Sequence, residues 1–315
     1  MAYSTIWGTS LYLIESPPIS FSNSTLRQII HISSSGEKIR LKLSNKNGKS
    51  DLEINSIKIA NSISQGTGEI DETSNTPILF ENKENITILA GCEVYSDIFS
   101  FPLKALSEVA ISIYFGKVPN EYTGHEASMT YSFIEEANKV NNAIISTQNK
   151  IAHYYFISLI EAISEIQKDI IVCFGDSITD GVGSANDRHN RYPDLLSTKL
   201  RLNKGTADIS VINQGITSTR VTENGIERYT HDVLDIKGVK YIIMLYGVND
   251  INWLNLKSDE VISCYKKIID LAHEKRLFIY GCTILPYGNN EIWTKEREIV
   301  RKEVNDWIRN TKVED

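Results

Sequence analysis

The 315-residue sequence predicts an α/β protein in two parts: an antiparallel β-sandwich over residues 1–165 and an α/β domain over residues 166–315. Up to about residue 165, short apolar runs are separated by segments rich in Gly, Asn, Ser and Asp, as in a sandwich. After Lys168, buried apolar runs alternate with amphipathic stretches, which is typical of a parallel sheet covered by helices. The length is also sufficient for about two domains of ordinary size.

The N-terminal part is predicted to consist of short strands joined by polar turns. Ile39–Leu43 alternates apolar with charged residues, as a half-buried strand does, and Asn47-Gly48 after it is a strong hairpin-turn signal. Tyr154–Ile163 is ambiguous, and we interpret it as a closing strand that leads into the second part. The further predicted strands are Leu52–Ile54, Ile57–Ile59, Ile78–Phe80, Ile86–Leu89, Val109–Phe115 and Ser128–Phe133.

The C-terminal part is predicted to alternate strands with helices. One apolar stripe runs along the third predicted helix, and we expect Ser258 to be its N-cap. The residues of the last helix expected to face inwards are Ile299, Val300, Val304, Trp307 and Ile308. The predicted strands are Ile170–Phe174, Ile209–Ile212, Tyr241–Leu245 and Leu277–Cys282, and the predicted helices are Tyr192–Leu202, Gly225–Ile236, Ser258–Lys275 and Thr294–Arg309.

Composition and charge indicate a globular protein and argue against several partners. The sequence is 41% hydrophobic and 23% charged, as in ordinary globular domains. A formal net charge of −7 gives no electrostatic reason to expect nucleic acid as a partner. No run approaches the roughly 18 apolar residues of a membrane span. The N-terminus shows no signal peptide, so we expect a cytoplasmic location, with secretion as the alternative if a leader was removed.

Small polar residues follow three of the predicted strands at the point where each strand ends. Gly175-Asp176-Ser177 follows the first strand, Gly215 the second and Gly247-Val-Asn249 the third. Taken singly, these residues are also explained as turn or N-cap residues. Together they favour an active site, because ligands bind at the carboxyl ends of parallel strands. Ser177 is then the candidate nucleophile, and Ser177 N–H, Gly215 N–H and the Asn249 side-chain amide are candidate donors to an oxyanion.

At these residues the sequence resembles the SGNH (GDSL-type) hydrolases, with Gly175–Ser177, Gly215 and Gly247–Asn249 matching their blocks I, II and III. The extended forms Gly-Asp-Ser-Ile-Thr-Asp-Gly and Gly-Val-Asn-Asp make the resemblance specific, and it covers the chain from about residue 168. The N-terminal part resembles, more weakly, the β-domain of bacterial two-domain SGNH proteins related to carbohydrate esterases. The resemblance implies a flavodoxin-like, three-layer α/β/α domain and an ester hydrolase in which Ser177 forms an acyl-enzyme.

The resemblance also suggests roles for the neighbouring polar residues. Asp176 and Asp180 are expected to organise the loop by hydrogen bonds. Arg191 and Tyr192 are expected near the cleft, with helix packing as the other interpretation of Tyr192. Because the Asp, Glu, His and Cys residues show no ligand spacing, neither a metal nor an organic cofactor is implied.

The general base of the family is a histidine in a D-x-x-H block near the C-terminus. This sequence ends at Thr311–Asp315, where that segment would begin, so we expect a C-terminally incomplete domain with impaired activity. Asp270-Leu-Ala-His273 has the D-x-x-H pattern, but we interpret it as helix surface at the opposite end of the sheet. His189 lies in a loop after block I, and we do not expect it to be the base. The other histidines are assigned to helix, structural or surface positions: His31, His125, His153 and His231.

Three functions remain open at this point. The preferred one is an SGNH ester hydrolase that deacylates, and in particular deacetylates, carbohydrate esters. The second is a catalytically inactive glycan-binding protein of the same fold, and the third is a lipid esterase or lysophospholipase. The expected partner is therefore a small-molecule or oligosaccharide ester, and acyl-length preference would separate the first function from the third.

Overall fold

The structure is a computed structural model that describes residues 1–288 and 290–311. Residues 312–315, which belong to the segment where a D-x-x-H block would begin, lie outside the described residues. Antiparallel strands extend to Ser164, and parallel strands with helices follow from Ile170. Among the described helices, none combines the length and the hydropathy needed to cross a membrane.

The N-terminal part of the chain is built from strands. They are β1 (Ala2–Gly8), β2 (Tyr12–Ile14), β3 (Ser24–His31), β4 (Gly36–Ser44), β5 (Leu52–Asn61), β6 (Thr76–Pro77), β7 (Ile86–Ile88), β8 (Glu93–Tyr95), β9 (Phe99–Leu103), β10 (Glu108–Phe115), β11 (Tyr122–His125), β12 (Ser132–Glu136), β13 (Lys150–Ile151), β14 (Tyr154–Tyr155) and β15 (Ile157–Ser164). A short 3₁₀ helix lies at Glu72–Ser74. The segment interpreted as a closing strand is thus β14 and β15.

These strands form antiparallel sheets around a shared core. One sheet has the order β1-β15-β4-β8, with β9 also paired to β4. Another has the order β13-β12-β3-β10-β5-β6, with β7 also paired to β5, and a smaller one has the order β14-β11-β2. Leu41 from β4 and Ile111 from β10 are fully buried and belong to one hydrophobic cluster. The faces of the first two sheets therefore meet in a common core.

The Asn47-Gly48 turn does not close a hairpin. It lies between β4 and β5, but β4 pairs with β15, β8 and β9, whereas β5 pairs with β10, β6 and β7. The hairpin prediction is therefore wrong, and the turn carries the chain from one sheet to another. Asn45 fixes this connection, because its side-chain amide donates to Ser50 O at 2.9 Å and Ile88 O at 3.0 Å.

The C-terminal part adds four parallel strands with helices between them in the described part of the chain. The strands are β16 (Ile170–Gly175), β17 (Ser210–Gly215), β18 (Val239–Leu245) and β19 (Phe278–Gly281). The helices are α1 (Ser177–Asp180), α2 (Tyr192–Leu200), α3 (Ile226–Tyr229), α4 (Val248–Trp253), α5 (Ser258–Glu274) and α6 (Lys295–Asn310), with π-helical turns at Val221–Gly225 and Thr230–Leu234 flanking α3.

The order of the parallel sheet is β17-β16-β18-β19. Gly175 at the end of β16 is in register with Gly215 on one side and with Leu245 on the other. The carboxyl ends of these strands therefore reach the same edge of the sheet. This register brings together the three polar stretches singled out in the sequence.

Several helix details differ from the sequence prediction. The helix predicted from Gly225 begins at Val221, as a π-helical turn. Ser258 is the first residue of α5 rather than its N-cap, because Lys257 occupies the cap position and its N–H donates to Glu260 at 2.9 Å. In α6, Val304 is buried as expected, but Ile299 is 50% exposed and does not face inwards.

The two parts have separate hydrophobic clusters and are joined by polar contacts. Thr5 N–H donates to Lys237 O at 3.1 Å, and Val211 N–H donates to Ser33 Oγ at 2.7 Å. Ser10 donates its hydroxyl to the Gln214 side chain next to the end of β17. The N-terminal part therefore reaches the edge of the parallel sheet where the polar stretches lie.

Candidate active site

Ser177 is the first residue of α1, directly after β16. Asp176 is the N-cap, and its Oδ1 accepts the Ile178 N–H at 3.0 Å. Gly175 must be glycine, because a Cβ there would lie 2.0 Å from Thr179 Oγ1 and 2.5 Å from Leu245 O. The turn between strand and helix is therefore very tight. It leaves Ser177 partly exposed at the edge of the sheet.

Gly215 lies at the same edge, but it is packed against α1. A Cβ at Gly215 would lie 2.2 Å from Asp180 N, so only glycine lets α1 approach β17 this closely. The Gly215 N–H donates to Asn213 Oδ1 at 2.9 Å. The sequence located this glycine but could not show that its N–H is already engaged by a side chain two residues earlier.

Asn249 is buried near the start of α4. Its side-chain Nδ2 donates to Thr219 O at 2.9 Å, and since an amide nitrogen carries two hydrogens, one donor remains. Its neighbour Asp250 accepts the backbone N–H groups of Val221 and Thr222, both at 3.0 Å. The loops that follow β17 and β18 are thus tied together by consecutive side chains of α4.

Asp180, the last residue of α1, is held by two other segments of the chain. His125 Nε2 lies 2.9 Å from Asp180 Oδ1, and both side chains are almost fully buried. His125 Nδ1 lies 2.9 Å from Ser10 O. Asp180 Oδ2 accepts the Thr217 N–H at 3.1 Å and its hydroxyl at 2.9 Å. The expectation that Asp180 organises this loop agrees with these contacts, but His125 was missed as its partner.

Residues 173–315 match the model of the GDSL-like Lipase/Acylhydrolase family. The match covers less than half of the chain, and it shows that this part of the chain is similar to that family. The chain is similar to the solved structure of AlinE4, an SGNH-hydrolase family esterase, at 24% identity and a TM-score of 0.37 over 46% of this chain and 70% of that chain. The chain is also similar to the lipase/acylhydrolase from Enterococcus faecalis, at 22% identity and a TM-score of 0.35 over 44% of this chain and 70% of that chain. A third similar structure is that of the acetyl xylan esterase AlAXEase, at 23% identity and a TM-score of 0.32 over 44% of this chain and 73% of that chain. No curated protein matches the chain.

Arg228 supports the edge of the sheet in the GDSL-like region, and sequence reasoning missed it. Its guanidinium donates to Gly175 O at 3.0 Å and to Tyr246 Oη at 2.7 Å. It also donates to Ser10 Oγ at 2.8 Å and to Asp232 Oδ2 at 3.0 Å. One side chain thus joins the ends of β16 and β18 to the N-terminal part.

The carboxyl group of Asp176, next to Ser177, has a raised pKa. Burial raises its pKa to about 7, with the carboxylates of Asp250 and Asp180 adding to the rise, while the Ile178 N–H and the Arg228 guanidinium act against it. Asp176 Oδ2 is buried and has no hydrogen-bond partner among the described residues. The carboxyl group is therefore partly protonated near neutral pH.

Among the described residues, the histidine side chains that form hydrogen bonds have partners other than Ser177. His189 lies against Glu108, and its ring stacks on His31 with centroids 4.0 Å apart. His231 contacts Asp232 and Glu93. His273 is in the last turn of α5, shortly before β19 begins, so it lies at the amino end of the sheet, as expected. Within residues 1–288 and 290–311, no hydrogen bond joins a histidine to the Ser177 hydroxyl.

Arg191 and Tyr192 are partly buried, and both are engaged by contacts with neighbouring segments. Arg191 pairs with Asp194 at 2.8 Å and donates to Ser128 O at 3.3 Å. The Tyr192 hydroxyl lies 3.4 Å from Thr179 Oγ1, and its ring packs against a small cluster that contains Cys173. Helix packing is thus the better interpretation of Tyr192.

Proposed function

We propose that this protein is a serine ester hydrolase that deacylates, and in particular deacetylates, carbohydrate esters, with Ser177 as the nucleophile. The observation that carries the proposal is the placement of Ser177. It is partly exposed at the first residue of α1, beyond a buried parallel strand, in a region that matches the model of an acylhydrolase family. Ligands bind at this edge in open α/β sheets.

In the proposed reaction, Ser177 Oγ attacks the ester carbonyl carbon and loses its proton. The bond from that carbon to the alcohol oxygen of the substrate breaks, and the alcohol leaves with a proton. Water then hydrolyses the acyl-enzyme. The oxyanion would be stabilised by Ser177 N–H, Gly215 N–H and the remaining donor of the Asn249 amide. To do so, Gly215 N–H must give up its hydrogen bond to Asn213 Oδ1 and donate to the substrate instead.

The order of the parallel strands supports a hydrolase domain in the C-terminal part. The parallel order β17-β16-β18-β19 is second, first, third, fourth along the chain, as in the flavodoxin-like sheets. We assign residues 166–315 to such a hydrolase domain and residues 1–165 to a β-sandwich accessory domain. The shared core of the first two antiparallel sheets supports the second assignment.

A second candidate function is glycan binding without catalysis. It is favoured by the histidine geometry, since the described residues place no imidazole on the Ser177 hydroxyl. Without a base, a serine stays a weak nucleophile at neutral pH.

The test is hydrolysis of p-nitrophenyl acetate by the chain, Ser177→Ala and the control Ser184→Ala. We expect Ser177→Ala to lower kcat by at least about 10³-fold and Ser184→Ala to retain activity. Equal activity of Ser177→Ala and the unsubstituted chain would contradict the proposal. A series from p-nitrophenyl acetate to palmitate then separates short-chain from lipid esterase activity.

A further inference from the structure

A cleft of about 910 Å³ lies between the N-terminal part and the GDSL-like region. Tyr12, Lys42 and Tyr95 line one wall, and Asn224 and His231 line the other. A volume of this size is typical of sites for small molecules, which span about 300–1,000 Å³. We call it the interdomain cleft.

The interdomain cleft extends to the segments that hold the helix of Ser177. Val182 and Thr217 both line it. Val182 N–H donates to Ser177 O at 3.0 Å, and Thr217 donates to Asp180 Oδ2. A molecule bound in the cleft therefore lies next to residues that contact α1 directly.

The walls of the cleft are held at a fixed separation by buried polar contacts. His125 from the N-terminal part contacts Asp180 of α1 at 2.9 Å, and Arg228 donates to Ser10 at 2.8 Å. Residues of the N-terminal wall are consequently positioned relative to Ser177 without any closing motion. Such support from packed elements is what a specific site requires.

The lining of the cleft favours a neutral, polyhydroxylated ligand. Five carboxylates line the cleft beside Lys42, Lys46, Arg228 and His231, so the charges nearly cancel while His231 is protonated. Lys42 is also neutralised by Glu93 at 2.6 Å. Most lining residues are polar in type, but the surface they present to the cleft is more apolar than polar, and this mixture suits the apolar and hydroxyl faces of a sugar.

Aromatic and amide groups supply the remaining contacts that a sugar needs. Tyr12 and Tyr95 present partly exposed rings, and the Arg40 guanidinium packs 3.9 Å from the Tyr95 ring centroid and fixes it. Asn47 and Asn224 add side-chain donors and acceptors. Tyrosine combines an apolar face with a polar tip, which suits a ligand with both apolar and hydroxyl faces.

We propose that the interdomain cleft binds the sugar of the ester substrate, so that the N-terminal part forms one wall of the substrate site. This inference rests on the proposed function of Ser177. A neutral oligosaccharide occupies the cleft, and its acyl group extends past Val182 and Thr217 towards Ser177. The alcohol released by the first step is then the sugar held in the cleft.

The test compares two kinds of substrate, a small synthetic ester and acetylated tetraoses, in two cleft variants. The substrates are p-nitrophenyl acetate and partially O-acetylated cello-, xylo- and mannotetraose. The variants are Tyr95→Ala, with exposed Tyr280→Ala as its control, and Lys46→Trp, with exposed Lys104→Trp as its control. We expect the ratio of kcat/KM for the best tetraose to kcat/KM for p-nitrophenyl acetate to fall about tenfold or more in both cleft variants, chiefly through KM, and to stay constant in both controls.

The other outcomes separate this inference from the proposed function. An unchanged ratio in both cleft variants overturns the sugar site and leaves Ser177 untouched. A preference for p-nitrophenyl palmitate that the cleft variants abolish also overturns it, because the occupant is then the acyl chain. If neither substrate is hydrolysed, the proposed function fails, and calorimetric titration with non-acetylated tetraoses decides the inference. Binding that Tyr95→Ala weakens supports the cleft, and no binding of any tetraose overturns it.

Discussion

Asp176 is a buried carboxyl group whose ionisation opposes folding. Burial raises its pKa from 3.8 to about 7, so the folded protein keeps this proton at pH values where the unfolded chain has lost it. The stability contributed by the protonated form is complete below about pH 4 and is lost as the pH rises through about 7.

We therefore expect Asp176→Asn to stabilise the protein above pH 7 by on the order of 1–3 kcal/mol. Asparagine keeps the side-chain oxygen that caps Ile178 N–H but carries no charge. Urea unfolding between pH 4 and pH 8 measures the effect, and the two proteins should be equally stable at the acidic end. Asp208→Asn, at a side chain that is 83% exposed, controls for the replacement itself. A difference that is constant with pH would contradict the prediction.

The positions of Ser177, Gly215 and Asn249 could be predicted because each follows a strand directly in sequence. Their partners could not. His125 and Asp180 are 55 positions apart, and Arg228 and Gly175 are 53 apart. No local pattern signals such pairs, since they form only when segments that are distant in sequence pack together. The engagement of Gly215 N–H by Asn213 was equally invisible, because it depends on a side-chain rotamer.

At the scale of elements, α1 is too short to be stable through helix propensity alone. It is held at its start by the Asp176 cap and at its end by the contacts of Asp180 with His125 and Thr217. Burial alone would lower the pKa of His125, but the Asp180 carboxylate outweighs burial and raises it. Both ring nitrogens of His125 also lie 2.9 Å from acceptor oxygens, Ser10 O and Asp180 Oδ1, which favours the protonated imidazole.

A double-mutant cycle on His125→Gln and Asp180→Asn tests this pair. We expect each single substitution to lower the free energy of unfolding by about 1–3 kcal/mol and the two to be non-additive by at least about 0.5 kcal/mol. Urea unfolding supplies the measurement and does not depend on catalytic activity. His153→Gln combined with Asp180→Asn is the control cycle, because His153 contacts Tyr155 instead. Additive effects in the first cycle would show that the contact contributes nothing.

Elements with strong periodicity were predicted and irregular ones were not. The predictions of β16, β18 and α5 agree with the structure, because burial on one or both faces of an element imposes a simple pattern of apolar residues on the sequence. β3 was missed, because buried Arg27 and Gln28 interrupt its apolar pattern. Arg27 is tolerated there because Ser112 Oγ and Asn142 O both accept its hydrogens at 2.8 Å. Leu52–Ile54 and Ile57–Ile59 proved to be one strand, β5.

At the scale of the whole molecule, an ionic cluster joins the two parts beside the interdomain cleft. His231 Nδ1 lies 2.7 Å from Asp232 Oδ1, and its Nε2 lies 3.1 Å from Glu93 Oε2 in β8. Lys42 and Arg228 face the same carboxylates. Hydrogen bonds to Asp232 and Glu93 raise the pKa of His231 to about 9. Burial opposes ionisation of Glu93, but His231 and Lys42 outweigh it and lower the pKa of Glu93 to about 2.

The cluster should make the attachment of the two parts dependent on pH. The contribution of protonated His231 to the free energy of unfolding is complete below its pKa in the unfolded chain, about 6.5. This contribution is lost as the pH rises through about 9, its pKa in the folded protein. The urea midpoint of the unsubstituted protein should therefore exceed that of His231→Gln most clearly near pH 6, and the gap should narrow by pH 9.5. His273→Gln, outside the interface, controls for loss of an imidazole. Glu93 and His231 come from different parts of the chain, so their ion pair joins the two walls of the cleft. If the difference in urea midpoint stays constant from pH 6 to pH 9.5, the walls are held together by packing and neutral hydrogen bonds rather than by this ion pair.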